Sequence, residues 1–210
     1  MIESNVFDLW ADGYDHEVQV TDDNNDYPFA GYRRIMNTLY NTIMQKKPAT
    51  VLDIGIGTGT LARKLYEGGN SITGIDFSGE MLAKAKAKMP NATLHQCDFA
   101  HGLPTELADA KYDFIVSTYA LHHLTDPLKV TFIKSLLPHL NKDGQILIGD
   151  IGFSTQADFD ACKAHHDPED WDDDEYYFVF SEMAKALEDN CVVSYEQISH
   201  CSGIMKIRLR

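Results

Sequence analysis

The residues best placed to do chemistry form one short run, Asp53-Ile54-Gly55-Ile56-Gly57-Thr58-Gly59-Thr60, three glycines at alternate positions behind an apolar segment. Without Cβ atoms, such a loop brings backbone amides close to a ligand and tolerates left-handed φ. The helix expected next offers unpaired N–H groups to an anionic part of that ligand. The spacing is G-x-G-x-G. A dinucleotide fingerprint needs its third glycine where Thr60 stands, and a Walker loop needs a Gly-Lys-Ser/Thr that is absent. Two further carboxylates close apolar runs downstream, Asp76 in Gly74-Ile75-Asp76 and Asp98 in Gln96-Cys97-Asp98. An acid at the end of a second strand can accept hydrogen bonds from both hydroxyls of an adenosine ribose. Asp98 can accept from an adenine amine, with Phe99 offering the ring an apolar face. Singly, each acid reads as a turn or cap residue; three at successive strand ends beside one glycine loop point to a nucleoside-like ligand.

An alternation of short apolar runs and helical stretches must position these groups. Strands are expected at 50–54, 71–76, 92–98, 112–117 and 144–150, several apolar throughout, as central parallel strands are when both faces are covered. Helices are expected at 32–44, 60–68, 79–89, 127–140, 155–164 and 180–189. For 127–140, Asp126 is expected to cap and Pro127 to fill the first turn, with Leu128, Phe132, Leu136 and Leu140 along one face. The segments 192–200 and 203–210 are separated by Cys201-Ser202 alone, too little chain for a crossover, so they pair as an antiparallel hairpin. The fold class is α/β with a mostly parallel sheet.

Composition excludes several partners. Eighteen Lys plus Arg face 32 Asp plus Glu, a net charge of −14, with no basic surface for nucleic-acid phosphates or an anionic membrane. The opening residues show no signal-peptide pattern and no run reaches spanning length, so a cytoplasmic protein is expected. The cysteines at 97, 162, 191 and 201 form no CxxC pair and read as thiols rather than a disulfide framework. No metal site is expected: Cys162-Lys163-Ala164-His165-His166-Asp167 has suitable residue types but lacks a second ligand pair.

VLDIGIGTG, GIDFSGEMLAKAKAKM, HQCDF and YDFIVSTYALHHL together resemble the class I S-adenosylmethionine-dependent methyltransferases over about 49–150. Within that group, FDLWADGYD and DPEDWDDDEYY are similar to the small stand-alone bacterial enzymes of the YrrT type. The resemblance implies a Rossmann-like seven-stranded sheet with helices on both faces and an antiparallel last strand. It implies a single domain over 1–210: a helical cap over 1–48, a cofactor-binding core over 49–150, and a lid segment with the terminal hairpin over 151–210. The implied cofactor is S-adenosylmethionine. Asp53, Gly55, Gly57 and Gly59 would line its methionine part, Asp76 its ribose, Phe77 and Asp98 its adenine, with Phe99 adjacent. Ser117 through Leu121 would lie near the sulfonium, and Tyr14 would close over the cofactor. Ile56 stands where many relatives have cysteine.

Methyl transfer from a sulfonium needs alignment more than a nucleophile–base pair. Should the acceptor lose a proton, His122 and His123, with Tyr119 behind them, are the candidates; a structural role for the pair is the alternative. The Asn/Asp-Pro-Pro-aromatic tetrad of nucleic-acid amino-methylating enzymes is missing, since Ser117-Thr118-Tyr119-Ala120 stands there. A small-molecule acceptor is therefore expected. Residues 167–175 hold seven acids in nine positions, which reads first as a solvated loop and second as a lid carrying Trp171, Tyr176, Tyr177 and Phe178. The competing functions are a non-catalytic cofactor-binding regulator and, less well matched to Thr60 and Asp98, a nicotinamide-dependent oxidoreductase.

Overall fold

The computed structural model describes residues 16–166 and 171–210. Tyr14 and the first four residues of the acidic run lie outside them. Two helices come first, α1 (His16–Asn24) and α2 (Tyr32–Met44). Alternation follows: β1 (Thr50–Ile54), α3 (Thr60–Glu67), β2 (Ser71–Asp76), α4 (Gly79–Lys88), β3 (Thr93–Gln96), β4 (Tyr112–Thr118), α5 (Asp126–Leu136) and β5 (Leu140–Phe153). The remainder is α6 (Gln156–His165), β6 (Phe178–Val179), α7 (Phe180–Leu187), β7 (Cys191–Gln197) and β8 (Ser202–Leu209).

The main sheet runs β3-β2-β1-β4-β5-β8-β7, and the two-residue β6 pairs with the end of β5, giving eight strands instead of seven. β1 to β5 are mutually parallel, while β8 runs antiparallel to both β5 and β7. The expected hairpin is there, with β8 inserted next to β5.

Alternation along the strands explains why both faces are covered. Leu52 and Ile54, Ile115, Ile146 and Ile148 turn to one side, where α5 contributes Phe132, Ile133 and Leu136 and α7 contributes Met183 and Leu187. Val51, Phe114, Val116 and Leu147 turn to the other, against Ile35 and Leu39 of α2, Leu61 and Leu65 of α3, and Leu82 of α4. Burying one Leu- or Ile-sized side chain is worth about 1.5–3 kcal/mol, so these two layers hold the sheet. The strand order reverses between β1 and β4, and ligands of such sheets bind at the carboxyl ends of strands beside that switch.

Two local expectations fail. Thr125, not Asp126, is the N-cap of α5; Asp126 is the first helical residue and its carboxylate takes the Lys129 ammonium at 2.8 Å. Of the apolar row, Phe132 and Leu136 are buried, but Leu128 is exposed and Leu140 already belongs to β5, because a 3-10 turn at Leu137–His139 ends the helix.

Candidate functional site

The glycine loop leaves β1 at the switch point. Gly55, Gly57 and Gly59 have φ of 69°, 54° and 77°, all left-handed. At Gly55 a Cβ would stand 2.6 Å from the Cβ of Ala120, so only glycine lets the loop touch the chain leaving β4. The Gly55 and Ile56 amides both donate to the Ile75 carbonyl, at 2.9 and 3.0 Å, laying the loop across the end of β2. Asp76 completes that attachment. Its carboxylate accepts from the Gly57 amide at 2.8 Å and the Ser78 amide at 2.9 Å.

Beneath the loop, Asp53 is 2% exposed, and its Oδ1 has no hydrogen-bond partner among the described residues. Burial, with the charge of Asp76 adding to it, pushes its carboxyl up to about 8. Native interiors seldom leave such an atom unsatisfied, so a buried orphan two residues before the glycine loop fits a ligand donor.

The other expected residues divide. Asp98 is largely exposed, caps a 3-10 turn through the Ala100 amide at 2.9 Å, and lies 3.2 Å from His101 Nδ1. Phe77 is exposed on the same edge, whereas Phe99 is buried against Phe132, with ring centroids 5.7 Å apart, beneath Gly55. Ser117 donates to the Ile54 carbonyl at 3.1 Å and so ties β4 to β1. Tyr119 has φ of 49°, stacks on Tyr32 at 5.1 Å, and buries a hydroxyl without a partner among the described residues. Burial, with Asp150 nearby, holds its phenol well above the usual range.

His122 and His123 sit on a 3-10 turn past β4, their ring centroids 4.3 Å apart. Asp150 Oδ1 lies 2.6 Å from His122 Nδ1, and Glu175 Oε1 lies 3.3 Å from its Nε2. Desolvation opposes charge on this ring, but the two carboxylates outweigh it and raise His122 to about 10. His123 is more exposed and is shifted downward, by desolvation and then by the neighbouring imidazolium. The Asp150 carboxylate is itself fixed by the Leu121 amide at 3.1 Å and the Ile151 amide at 2.9 Å.

The segment after the undescribed residues lies over this pair. Tyr176 N–H donates to the His122 carbonyl at 2.7 Å. Tyr177 donates to Glu175 Oε2 at 2.9 Å, and its hydroxyl also meets that of Tyr27. Trp171 is buried and stacks on Tyr27 at 5.0 Å. The fully buried Lys129 ammonium anchors the segment through Asp126 and the Tyr176 carbonyl, and lies 4.9 Å over the Phe178 ring. Asp172, Asp173 and Asp174 face solvent. Of the acids described, these three are solvated while Glu175 turns inward to the histidines, and Trp171, Tyr177 and Phe178 are buried.

Tyr27, Tyr32, Asp150, Glu175 and Lys129 escaped sequence reasoning. The one available signal was Asp150 closing the run GQILIGD, an acid at another strand end. A separate cavity of about 690 Å³ lies between α6 and the β7–β8 turn, with Cys162, His165, His166 and His200 on its wall. No described helix is long and apolar enough to cross a membrane.

A methyltransferase-domain family model matches residues 51–144. An uncharacterized methyltransferase from Anoxybacillus flavithermus is 36% identical over 159 residues, covering 76% of this chain and 72% of that one. Another from Bacillus cytotoxicus is 34% identical over 210 residues, covering 96% and 95%. Among solved structures, magnesium protoporphyrin IX methyltransferase from Synechocystis with bound S-adenosylhomocysteine superposes with a TM-score of 0.71 at 19% identity, covering 98% of this chain and 95% of that one. A Pyrococcus horikoshii protein gives 0.67 at 17% identity, covering 94% and 100%. With the glycine loop at the switch point and full-length relatives above 30% identity, the chain belongs to the class I S-adenosylmethionine-dependent methyltransferases.

Proposed function

We propose that this enzyme moves a methyl group from S-adenosylmethionine to a small neutral or cationic acceptor bound between the glycine loop and the 171–178 segment. The carrying observation is the orphaned Asp53 Oδ1 at the foot of a loop with three left-handed glycines, a buried carboxyl that lacks a donor and that a cationic ligand would ionise. When bound, S-adenosylmethionine supplies the methyl as an electrophile. The chain's own task is orientation. Asp53 and the close backbone approach that the three glycines allow hold the amino-acid end, Asp76 the ribose hydroxyls, and Asp98 with Phe77 the adenine. Ser117 and the buried Phe99 and Tyr119 fix the walls. Alignment of this kind accounts for a large part of such a rate enhancement.

The acceptor's proton, where it has one, leaves toward the imidazole pair, and exposure favours His123 over His122 as the group that meets it. The acidic rim at Asp172–Asp174 repels phosphorylated acceptors and, with the net charge of −14, nucleic acids. Chemistry, acceptor site and cap are read as one domain over 1–210, acting in the cytoplasm, where its free thiols stay reduced.

Thermal unfolding with added ligands tests the cofactor assignment. S-adenosylhomocysteine at about a hundred times its dissociation constant stabilises by about 2.7 kcal/mol, and NAD does nothing. A shift with NAD alone refutes it. Consumption of the methyl donor with an acceptor from a metabolite panel separates an enzyme acting on small molecules from a cofactor-binding regulator.

A further inference from the structure

Beyond the cofactor assignment, and as an alternative to the proton-accepting role of the imidazole pair, we infer that His122, His123 and Glu175 form a binding site for a divalent first-row transition-metal cation. One ligand atom from each lies within 4.8 Å of the others. Glu175 Oε1 is 3.3 Å from His122 Nε2 and 3.9 Å from His123 Nδ1. Ligands at about 2.0–2.1 Å around a tetrahedral ion stand about 3.4 Å apart, close to the His122–Glu175 separation, and the exposed His123 ring is the one that must move to complete the set.

Asp150 supplies a second, independent observation. Metal-bound histidines almost always give their other ring nitrogen to a carboxylate or carbonyl, which fixes the tautomer and aims the lone pair. Asp150 holds His122 Nδ1 at 2.6 Å and is itself immobilised by the Leu121 and Ile151 amides. The nitrogen left over is Nε2, the one facing Glu175, and a cation bound there displaces the proton that Glu175 otherwise holds on it. The second carboxylate oxygen, Glu175 Oε2, is held by Tyr177, which leaves Oε1 toward the histidines.

Two imidazoles and one carboxylate suit zinc, cobalt or nickel better than magnesium, which prefers an all-oxygen shell. Three protein ligands leave at least one position open, the arrangement of reactive rather than structural sites. His123, with its side chain 61% exposed, puts that opening on the solvent side of the site. Residue 120, two positions away, is in contact range of Gly55, so the cation would sit beside the glycine loop.

The test uses the untagged full chain and metal alone, with no cofactor or acceptor. Calorimetry with Zn²⁺ is expected to give one site, and Co²⁺ to produce the visible d–d bands of histidine ligation. His123→Ala and Glu175→Gln, both altering partly exposed side chains, each weaken Zn²⁺ binding at least tenfold and abolish the Co²⁺ bands. His166→Ala, in the separate cavity, leaves both unchanged. Absence of Co²⁺ bands in the wild type overturns the inference. So does binding that survives both ligand variants, or binding lost in His166→Ala, which would move the cation to the histidines beside α6. S-adenosylhomocysteine stabilisation of the same preparations reports separately on the methyltransferase reading.

Discussion

Replacing Asp53 by Asn isolates the group whose protonation the fold perturbs most usefully. Its carboxyl is pushed up to about 8, against an unfolded value of about 3.9. Between those values the folded state holds a proton that the unfolded state has lost. Stability from this group is therefore fully present below the unfolded value and falls as pH rises toward 8, by about 1.4 kcal/mol per pH unit. From pH 5 to pH 7 the wild type should lose about 2–3 kcal/mol more than Asp53→Asn, or about 5–10 °C in Tm for a chain of this size. Urea unfolding of the cofactor-free protein at the two pH values measures the difference directly, since other titrations are common to both proteins. Parallel pH dependences would refute the raised carboxyl. A second consequence checks the same reasoning from the ligand side. A ligand bringing an ammonium group to Asp53 favours the carboxylate, so S-adenosylhomocysteine should bind the wild type more tightly as pH rises from 6 toward 8. Asp53→Asn should bind it weakly, with no such trend.

Three further substitutions separate the roles of loop, ribose acid and anchor. Asp76→Ala removes the acceptor for the Gly57 and Ser78 amides as well as the proposed ribose contact; S-adenosylhomocysteine affinity should fall by about 10- to 100-fold by calorimetry, with the circular dichroism spectrum retained, and unchanged affinity rejects the assignment. Gly55→Ala meets both a left-handed φ and the Ala120 methyl, whereas Gly57→Ala meets only the former, so the first should lower stability by at least 1 kcal/mol more than the second in denaturant unfolding. Lys129→Met keeps the buried volume but releases the Tyr176 carbonyl; amides of 175–178 should exchange hydrogen faster while those of β1 and β4 are unchanged, and equal protection would show that the lysine does not hold the segment down.

What could be read from the chain alone follows the range of the forces involved. β1 and β2 match their expected limits, as does α2, because apolar period and local punctuation decide them. α1 leaves no local signal because HEVQVTDDN has little apolar periodicity; the Gly31 amide and the Arg33 side chain donate to the Asp22 carboxylate and tie it to α2. β5 continues to Phe153, past the expected end at 150, since β8 and β6 supply partners there that no local pattern announces. The same division runs through the site. Asp53 and Asp76 are legible as candidates because each stands at or next to the end of its own strand, and Asp98 because it follows β3 by two residues. Asp150 and Glu175 acquire meaning only when β5 and the 171–178 segment bring them to opposite nitrogens of His122. Residue type does not settle a carboxylate's chemistry even then. Asp113, although partly desolvated, is pulled down to about 2 by bonds from Thr50, Lys46 and Asn141, while Asp53, buried and without a donor for Oδ1, is pushed up to about 8. Both lie on central strands, Asp113 at the amino end of β4 and Asp53 near the carboxyl end of β1. Between these two the fold gives its donors to the carboxyl at the structural end and leaves Oδ1 of Asp53 for a ligand to satisfy, and that contrast singles out Asp53 among the acids at the carboxyl end, since Asp76 and Asp150 already accept backbone amides.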